Sequence, residues 1–247
     1  MLNRLREFLK KDSRSTTPQT GVMAKRGRFA DMKMFTPGKR PVIVDVGANK
    51  GRTIRRFLQL FPDATIFAFE PQPDLADDLR AAFADTKRVE VRQMAVGSRV
   101  GEIEFQVLRH ASSSSALPPS QHNIRYHPGD MDVVEKIRVQ QTTLDSALDV
   151  ERVDILKLDI QGFELEALRG ATQILKKTNL LMTEIEFLPL YEEQGLFADV
   201  DTFLRGQGFR LFNLYDLFTQ EDGQLTAGDA LYLNESQPFL PTPLEGN

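Results

Sequence analysis

The apolar run Val42-Ile43-Val44-Asp45-Val46 breaks into the turn Gly47-Ala48-Asn49-Lys50-Gly51, and Phe69-Glu70-Pro71 follows after one further helix-length and one strand-length segment. No other feature restricts the fold so strongly. A short, nearly uninterrupted apolar strand is buried on both faces, so its sheet needs helices above and below. The helical stretch at 52–60 and the second apolar strand at 65–70 complete the order strand, glycine turn, helix, strand, carboxylate. That order is the nucleotide half-site of a doubly wound α/β fold. Gly47 and Gly51 are expected to let backbone approach a ligand, and Glu70 can accept bonds from both hydroxyls of a ribose.

The turn departs from the dinucleotide pattern, which places three glycines as G-x-G-x-x-G at a helix N-terminus aimed at a pyrophosphate. Here Asn49 stands between the two glycines and Asp45 precedes the turn. A carboxylate there repels a diphosphate but suits a ligand with an ammonium or sulfonium group. An ordinary βα turn with a surface acid accounts for either feature alone, not for both at this separation.

The rest of the chain continues the alternation. Helix 73–84 begins behind Pro71 and Pro73, and strand 89–94 follows. Residues 102–108 and 133–140 alternate polar and apolar, as paired strands outside the main alternation do. Then come strand 153–158, helix 164–175, strand 179–187, helix 197–206, and strands 209–214 and 229–233. The pattern predicts a Rossmann-like, mostly parallel sheet covered on both faces, with an inserted β-hairpin. We divide the chain into a basic, helical N-terminal extension, 1–38, and one large domain, 39–247.

Composition narrows the chemistry. The 247 residues contain no cysteine, which excludes disulfides, thiolate nucleophiles and thiolate-bound metals. No apolar run is long enough to span a bilayer and no secretory leader is recognisable, so a soluble, cytoplasmic protein is expected. Residues 1–40 carry 11 Lys/Arg against 3 Asp/Glu, whereas the remainder carries 20 against 32. Leu2, Leu5, Phe8 and Leu9 share one face of a helical projection, with Arg4, Arg6, Lys10 and Lys11 around it. Such a segment can dock on the acidic body of its own chain, project into solvent or make weak contact with an anionic membrane surface through residues 1–11. Nucleic acid is a disfavoured partner, and nothing in the sequence sets the oligomeric state.

Candidate catalytic groups lie on three segments. Strand 153–158 delivers Asp159 to its carboxyl end, the rim where open α/β sheets bind ligands. Glu164, in the first turn of the next helix, is accounted for by the helix dipole alone. Glu184 and Glu186 are two apart on one strand and point to one face. Glu184 reads equally as a general base or acceptor anchor and as an ion-pair partner of Lys157 or a nearby arginine, while Glu186 reads as structural. All three histidines, His110, His122 and His127, fall in the long segment 109–131. They read as solvated loop residues or as part of a substrate lid; their spacing matches no standard metal-ligand pattern, and no metal site is assigned. Phe163, Tyr191 and Phe197 read as core residues or as pocket aromatics.

As a set, these motifs resemble the FkbM family of S-adenosylmethionine-dependent methyltransferases. The matching segments are D-V-G-A-N-x-G at 45–51, F-E-P at 69–71, A-V-G-S-x-x-G at 95–101 and T-T-L-D at 142–145. K-L-D-I-Q-G-F-E at 157–164, G-A at 170–171 and T-E-I at 183–185 complete them. The resemblance covers roughly residues 40–235 and implies a class I methyltransferase fold with S-adenosyl-L-methionine as cofactor. It implies that Asp45, Gly47, Asn49 and Gly51 line the methionine end, that Glu70 with Pro71 takes the ribose, and that Met94 and Ala95 flank the adenine. It also implies O-methylation of a hydroxyl on a sugar, glycan or natural product. An alcohol proton is nearly as weakly acidic as that of water, so a base must assist or a metal must acidify it. Asp159 is the first candidate, Glu184 the second and His122 (or His127) the third. The family usually carries glutamate where Gln161 stands, which leaves a non-catalytic binding module of the same fold as one alternative. An NAD-type oxidoreductase is the other.

Overall fold

The computed structural model describes residues 27–236, apart from 127, 128, 130 and the side chains of 124–126. The amphipathic segment 2–11 and His127 lie outside the described residues. Helix α1 (Arg28–Phe35) leads into β1 (Val42–Val46), α2 (Arg52–Leu60), β2 (Thr65–Phe69), α3 (Pro73–Ala82) and β3 (Val89–Arg92). A short β4 (Ala95–Val96), β5 (Gly101–Leu108), α4 (Gln121–Tyr126) and β6 (Val133–Thr142) follow. The chain then runs through α5 (Leu144–Ala147), β7 (Val153–Leu158), α6 (Glu164–Arg169), α7 (Thr172–Lys176) and β8 (Thr178–Glu186). Helix α8 (Phe197–Gly206) and the hairpin β9 (Phe209–Thr219) and β10 (Leu225–Asn234) close the fold.

The main sheet has seven strands in the order β3-β2-β1-β7-β8-β10-β9. It is parallel from β3 to β8, and β10 runs antiparallel between β8 and β9. Strand order reverses at β1, where β2 lies on one side and β7 on the other, and the carboxyl ends of these strands form the switch point at which such sheets bind ligands. The expected hairpin is present: β5 pairs antiparallel with β6, and with β4 they make a separate three-stranded sheet.

Alternation along the strands divides the core in two. Val44, Leu156 and Leu181 face a cluster completed by Leu165, Leu168 and Leu204 of α6 and α8. Ile43, Ile155 and Leu180 face the opposite cluster, with Met32, Ile54, Phe57 and Leu79 from α1, α2 and α3. Asp45 and Lys157 occupy the next same-parity positions after Ile43 and Ile155, so the second layer ends in charge at the carboxyl rim.

Local corrections have local causes. The stretch expected as one helix over 164–175 is two, α6 and α7, separated at Gly170 and Ala171. A Cβ on Gly170 would lie 2.1 Å from the Gly97 carbonyl oxygen, so the helices part where the A-V-G-S turn presses between them. Segment 109–131 is not uniformly irregular: it holds a 3-10 turn at Ala111–Ser113 and helix α4. Strand β3 stops at Arg92, short of the expected 94, while β9 and β10 extend beyond 209–214 and 229–233 because each pairs with the other.

Asp145 of the T-T-L-D segment caps a helix that is not its own. Its carboxylate accepts from the backbone N–H groups of Gln173 (3.0 Å) and Ile174 (2.8 Å) and from the Thr172 hydroxyl, at the start of α7. Asp145→Ala is expected to lower unfolding free energy by about 1–2 kcal/mol, as lost caps do, while leaving cofactor affinity unchanged. Urea melts paired with ligand titration check both halves.

Candidate active site

The carboxyl rim opens into a cavity of about 720 Å³, within the size range of small-molecule sites. The turn after β1, the start of α2, the Glu70–Gln72 corner, residues 109–114 and the ends of β7 and β8 surround it.

Glu70 is held ready on the first wall. Its Oε2 accepts from the Asn49 backbone N–H at 2.8 Å and its Oε1 from the Gln72 N–H at 3.0 Å. Burial pushes its pKa up, and these two backbone donors pull it back. Each carboxylate oxygen keeps a further lone pair for a ligand hydroxyl. Asn49 (φ 47) supplies its N–H from a left-handed conformation, which asparagine tolerates better than most side chains. Pro71 also lines the cavity.

The glycines also serve packing within the fold. Gly47 (φ 80) lines the cavity through its backbone, but a Cβ there would fall 1.9 Å from the Asp159 carbonyl oxygen. Its bareness lets the ends of β1 and β7 close together, where Asp159 N donates to Val46 O. A Cβ on Gly51 would meet the Leu79 and Phe83 side chains at 2.8–2.9 Å, so that glycine serves helix packing.

Asp45 is placed differently. It is fully buried, is not part of the cavity wall, and pairs with Lys157, whose Nζ lies 3.0 Å from its Oδ1. Lys157 Nζ also donates to the Gly47 carbonyl at 2.9 Å and lies 3.5 Å from Asp159 Oδ2. Burial works against its charge, but Asp45 and Asp159 overcome this and raise its pKa. The negative charge of Asp45 is therefore spent on Lys157 rather than offered to a ligand. Lys157 was missed as a site residue because its role depends on register: it is the cross-strand partner of Asp45.

Asp159 and Glu184 do converge on the cavity. Gln161, in a left-handed conformation (φ 60), joins them: its Nε2 donates to Asp159 Oδ1 at 3.2 Å and to Glu184 Oε2 at 2.6 Å. Burial and the neighbouring charges of Asp159 and Glu186 raise the Glu184 pKa well above the usual range. Glu186 is buried behind the wall with its pKa also raised, chiefly by desolvation. Glu164 folds back to accept from the Ile160 N–H at 2.7 Å, and burial pushes it up to about 7.

The remaining expected residues fall elsewhere. Met94 packs against the core and Ala95 is buried with Phe105 and Val139; neither lines the cavity. His122 is exposed on α4, away from the wall, whereas His110 lines it with Ser112, Ser113 and Ser114. Of the aromatics, Phe197 stacks at a tilt on Phe187, Phe163 wedges beside Gly97, and Tyr191 is buried with its hydroxyl on Gln161. Phe105, which the alternation of β5 placed in a hairpin, lines the cavity.

A seven-stranded sheet in this order, with its single antiparallel strand next to the edge and carboxylates at the switch-point rim, defines the class I methyltransferase architecture. A protein from Galdieria sulphuraria, provisionally named a sarcosine dimethylglycine methyltransferase, shares the fold with a TM-score of 0.51 at 9% identity, over 83% of each chain. The family model described as the methyltransferase FkbM domain matches residues 45–211, and the chain belongs to that family. It is 34% identical over 164 residues to the 2-O-methyltransferase NoeI of Sinorhizobium fredii, covering 62% of this chain and 67% of that one. It is also 29% identical over 146 residues to the hexuronic acid methyltransferase AglP of Haloferax volcanii, covering 58% and 55%. The chain is thus a methyltransferase enzyme. No helix among the described residues is long and apolar enough to cross a membrane.

Proposed function

We propose that this enzyme transfers the methyl group of S-adenosylmethionine to a hydroxyl of a sugar, glycan or natural product. The observation that carries the reading is the shared cavity, with Glu70 held by two backbone donors on one wall and the Asp159–Glu184 pair on another. The names of the two relatives, one a 2-O-methyltransferase and one acting on a hexuronic acid, support an oxygen acceptor on a sugar.

S-adenosylmethionine, when bound, supplies an electrophilic methyl on a sulfonium. The residues fit such a group: Glu70 offers free lone pairs to ribose hydroxyls, and the turn at 47–51 brings backbone to the same wall. At the other wall Asp159 or Glu184 accepts the proton of the acceptor hydroxyl, at Oδ or Oε. A neutral hydroxyl is a poor nucleophile, and a positioned base contributes about 10²–10⁴-fold. The raised pKa of Glu184 makes it the stronger base of an ordinary carboxylate set, at the cost of being protonated at lower pH.

Isothermal titration with S-adenosylhomocysteine tests the donor site. Glu70→Ala is expected to weaken binding by about a hundredfold, the loss of two charge-assisted hydrogen bonds, with folding intact by circular dichroism. Binding of NADH by the unaltered protein, or full S-adenosylhomocysteine affinity in Glu70→Ala, would overturn the assignment. A panel of neutral and acidic sugars with isotopically labelled S-adenosylmethionine then identifies the acceptor.

A further inference from the structure

We propose that Gln161 is a positioning residue: its side-chain amide spans Asp159 and Glu184, supplies one N–H to each, and fixes both to the loop that forms the outer cavity wall. This rests on the methyltransferase reading above and assigns the residue at which the chain departs from the family pattern.

Two carboxylate oxygens bonded to one nitrogen lie within about 6 Å of each other, close enough that their repulsion favours protonating one of them. An amide nitrogen carries two hydrogens, so it satisfies both acids without a shared proton. A glutamate at 161 has no donor when ionised, and the site would then hold three acids that must take up a proton or a cation. The other end of the side chain is equally specified. Tyr191 donates its hydroxyl to Gln161 Oε1 at 3.0 Å and also lies 2.8 Å from the Ser113 carbonyl oxygen. Ser115 Oγ donates to the Gln161 backbone carbonyl at 2.6 Å. Gln161 therefore joins the two acids to the serine segment whose neighbours Ser112–Ser114 line the cavity.

Backbone strain supports the same conclusion. Gln161 at φ 60 and Gly162 at φ 92 are consecutive left-handed residues, and a non-glycine residue there persists only when its surroundings over-determine it. The carboxylate of Glu164, bonded to Ile160 N, and the Ser115 hydroxyl close the turn from either side.

The test uses Gln161→Glu, Gln161→Leu and the swapped pair Gln161→Glu/Glu184→Gln in the full chain. The other charged and titratable groups around the pair are Lys157 and Asp45 from the strands, Glu164 from α6, Glu186 from β8, Tyr191, and Glu70, His110, Lys50, Arg52 and Arg109 on the rest of the cavity wall. These are unchanged in every variant. Protonated carboxyl groups are counted by their infrared carbonyl band as a function of pH. Gln161→Glu is expected to raise the midpoint of that band by about one pH unit or more, and the swapped pair, which restores one amide among two acids, to return it. With the sugar acceptor found by the panel, Gln161→Leu is expected to lose about a hundredfold in kcat, with S-adenosylhomocysteine affinity within threefold of the unaltered protein. An unmoved midpoint in Gln161→Glu, or no rescue by the swap, overturns the proposal. Loss of S-adenosylhomocysteine binding by the unaltered protein would instead strike the methyltransferase reading, which separates the two failures.

Discussion

Lys157→Met is expected to destabilise the protein by about 3–5 kcal/mol, and adding Asp45→Asn to recover much of that loss. The reason lies in how unequally the two partners are supported. Asp45 is wholly buried, and the ammonium of Lys157, 3.0 Å from its Oδ1, is its ion-pair partner. Removing that ammonium leaves a buried carboxylate uncompensated, the costly way to break such a pair. Lys157, by contrast, keeps the Val46 and Gly47 carbonyls and Asp159 when Asp45 is neutralised. Asp45→Asn alone should therefore cost less than Lys157→Met alone, and the double variant less than the sum of the singles. Urea unfolding of the four proteins closes the cycle. Additive losses, or a larger loss in Asp45→Asn, would show that the pair does not support the rim as described.

Stability and turnover are expected to respond to pH in opposite directions. Glu164 is raised from 4.5 to about 7 by burial, and Glu184 and Glu186 are raised chiefly by burial and then by neighbouring acids, Asp159 foremost for Glu184 and Glu164 foremost for Glu186. A carboxyl with a raised folded-state pKa keeps its proton in the native state after the unfolded chain has lost it, so stability falls as pH rises through that window. For Glu164 the window runs from 4.5 to about 7, and the loss across it is about 3 kcal/mol. Lys157 has the opposite charge type: its raised pKa contributes stability that persists through neutral pH and is lost only in strong alkali. The urea midpoint should thus decline between pH 5 and 8. Glu164→Gln retains an acceptor for Ile160 N and removes the titration, so its profile should be flatter and its stability at pH 8 higher. If Glu184 is the base proposed above, turnover should rise with pH as that group ionises. A stability profile unchanged by Glu164→Gln would contradict the assignment of this group.

These expectations depend on contacts of very different visibility. The alternation of strands and helices, the hairpin at 102–140 and the rim positions of Glu70, Asp159 and Glu184 could be read from periodicity and turn residues, because both are local properties of the chain. The purpose of Gly47 could not. Its glycine character is set by the Asp159 carbonyl, which lies just past the end of β7, far along the chain. Asp45 was legible as an acid at a strand end but not as a sealed one, since only the pairing of β1 with β7 brings Lys157 beside it. Among the histidines the chain offers no local sign that separates His110, on the cavity wall, from His122, out on α4. The bridge from Pro119 to Tyr191 and the bond from Ser120 N to the Leu190 carbonyl place that segment, and both are long-range.

By itself, then, the sequence determined the layered α/β architecture, the family and the rim at which the candidate site lies, since strand period, glycine turns and motif order are written within short windows. Tertiary structure alone decided which charges remain available there. Register sets Lys157 on Asp45, which leaves Asp45 off the cavity wall while Lys157 stays on it, and the left-handed turn at Gln161 gathers Asp159, Glu184 and Tyr191 around one amide. The free energy of a buried charge depends on partners within a few ångströms, and those partners come from strands that meet only in the folded sheet.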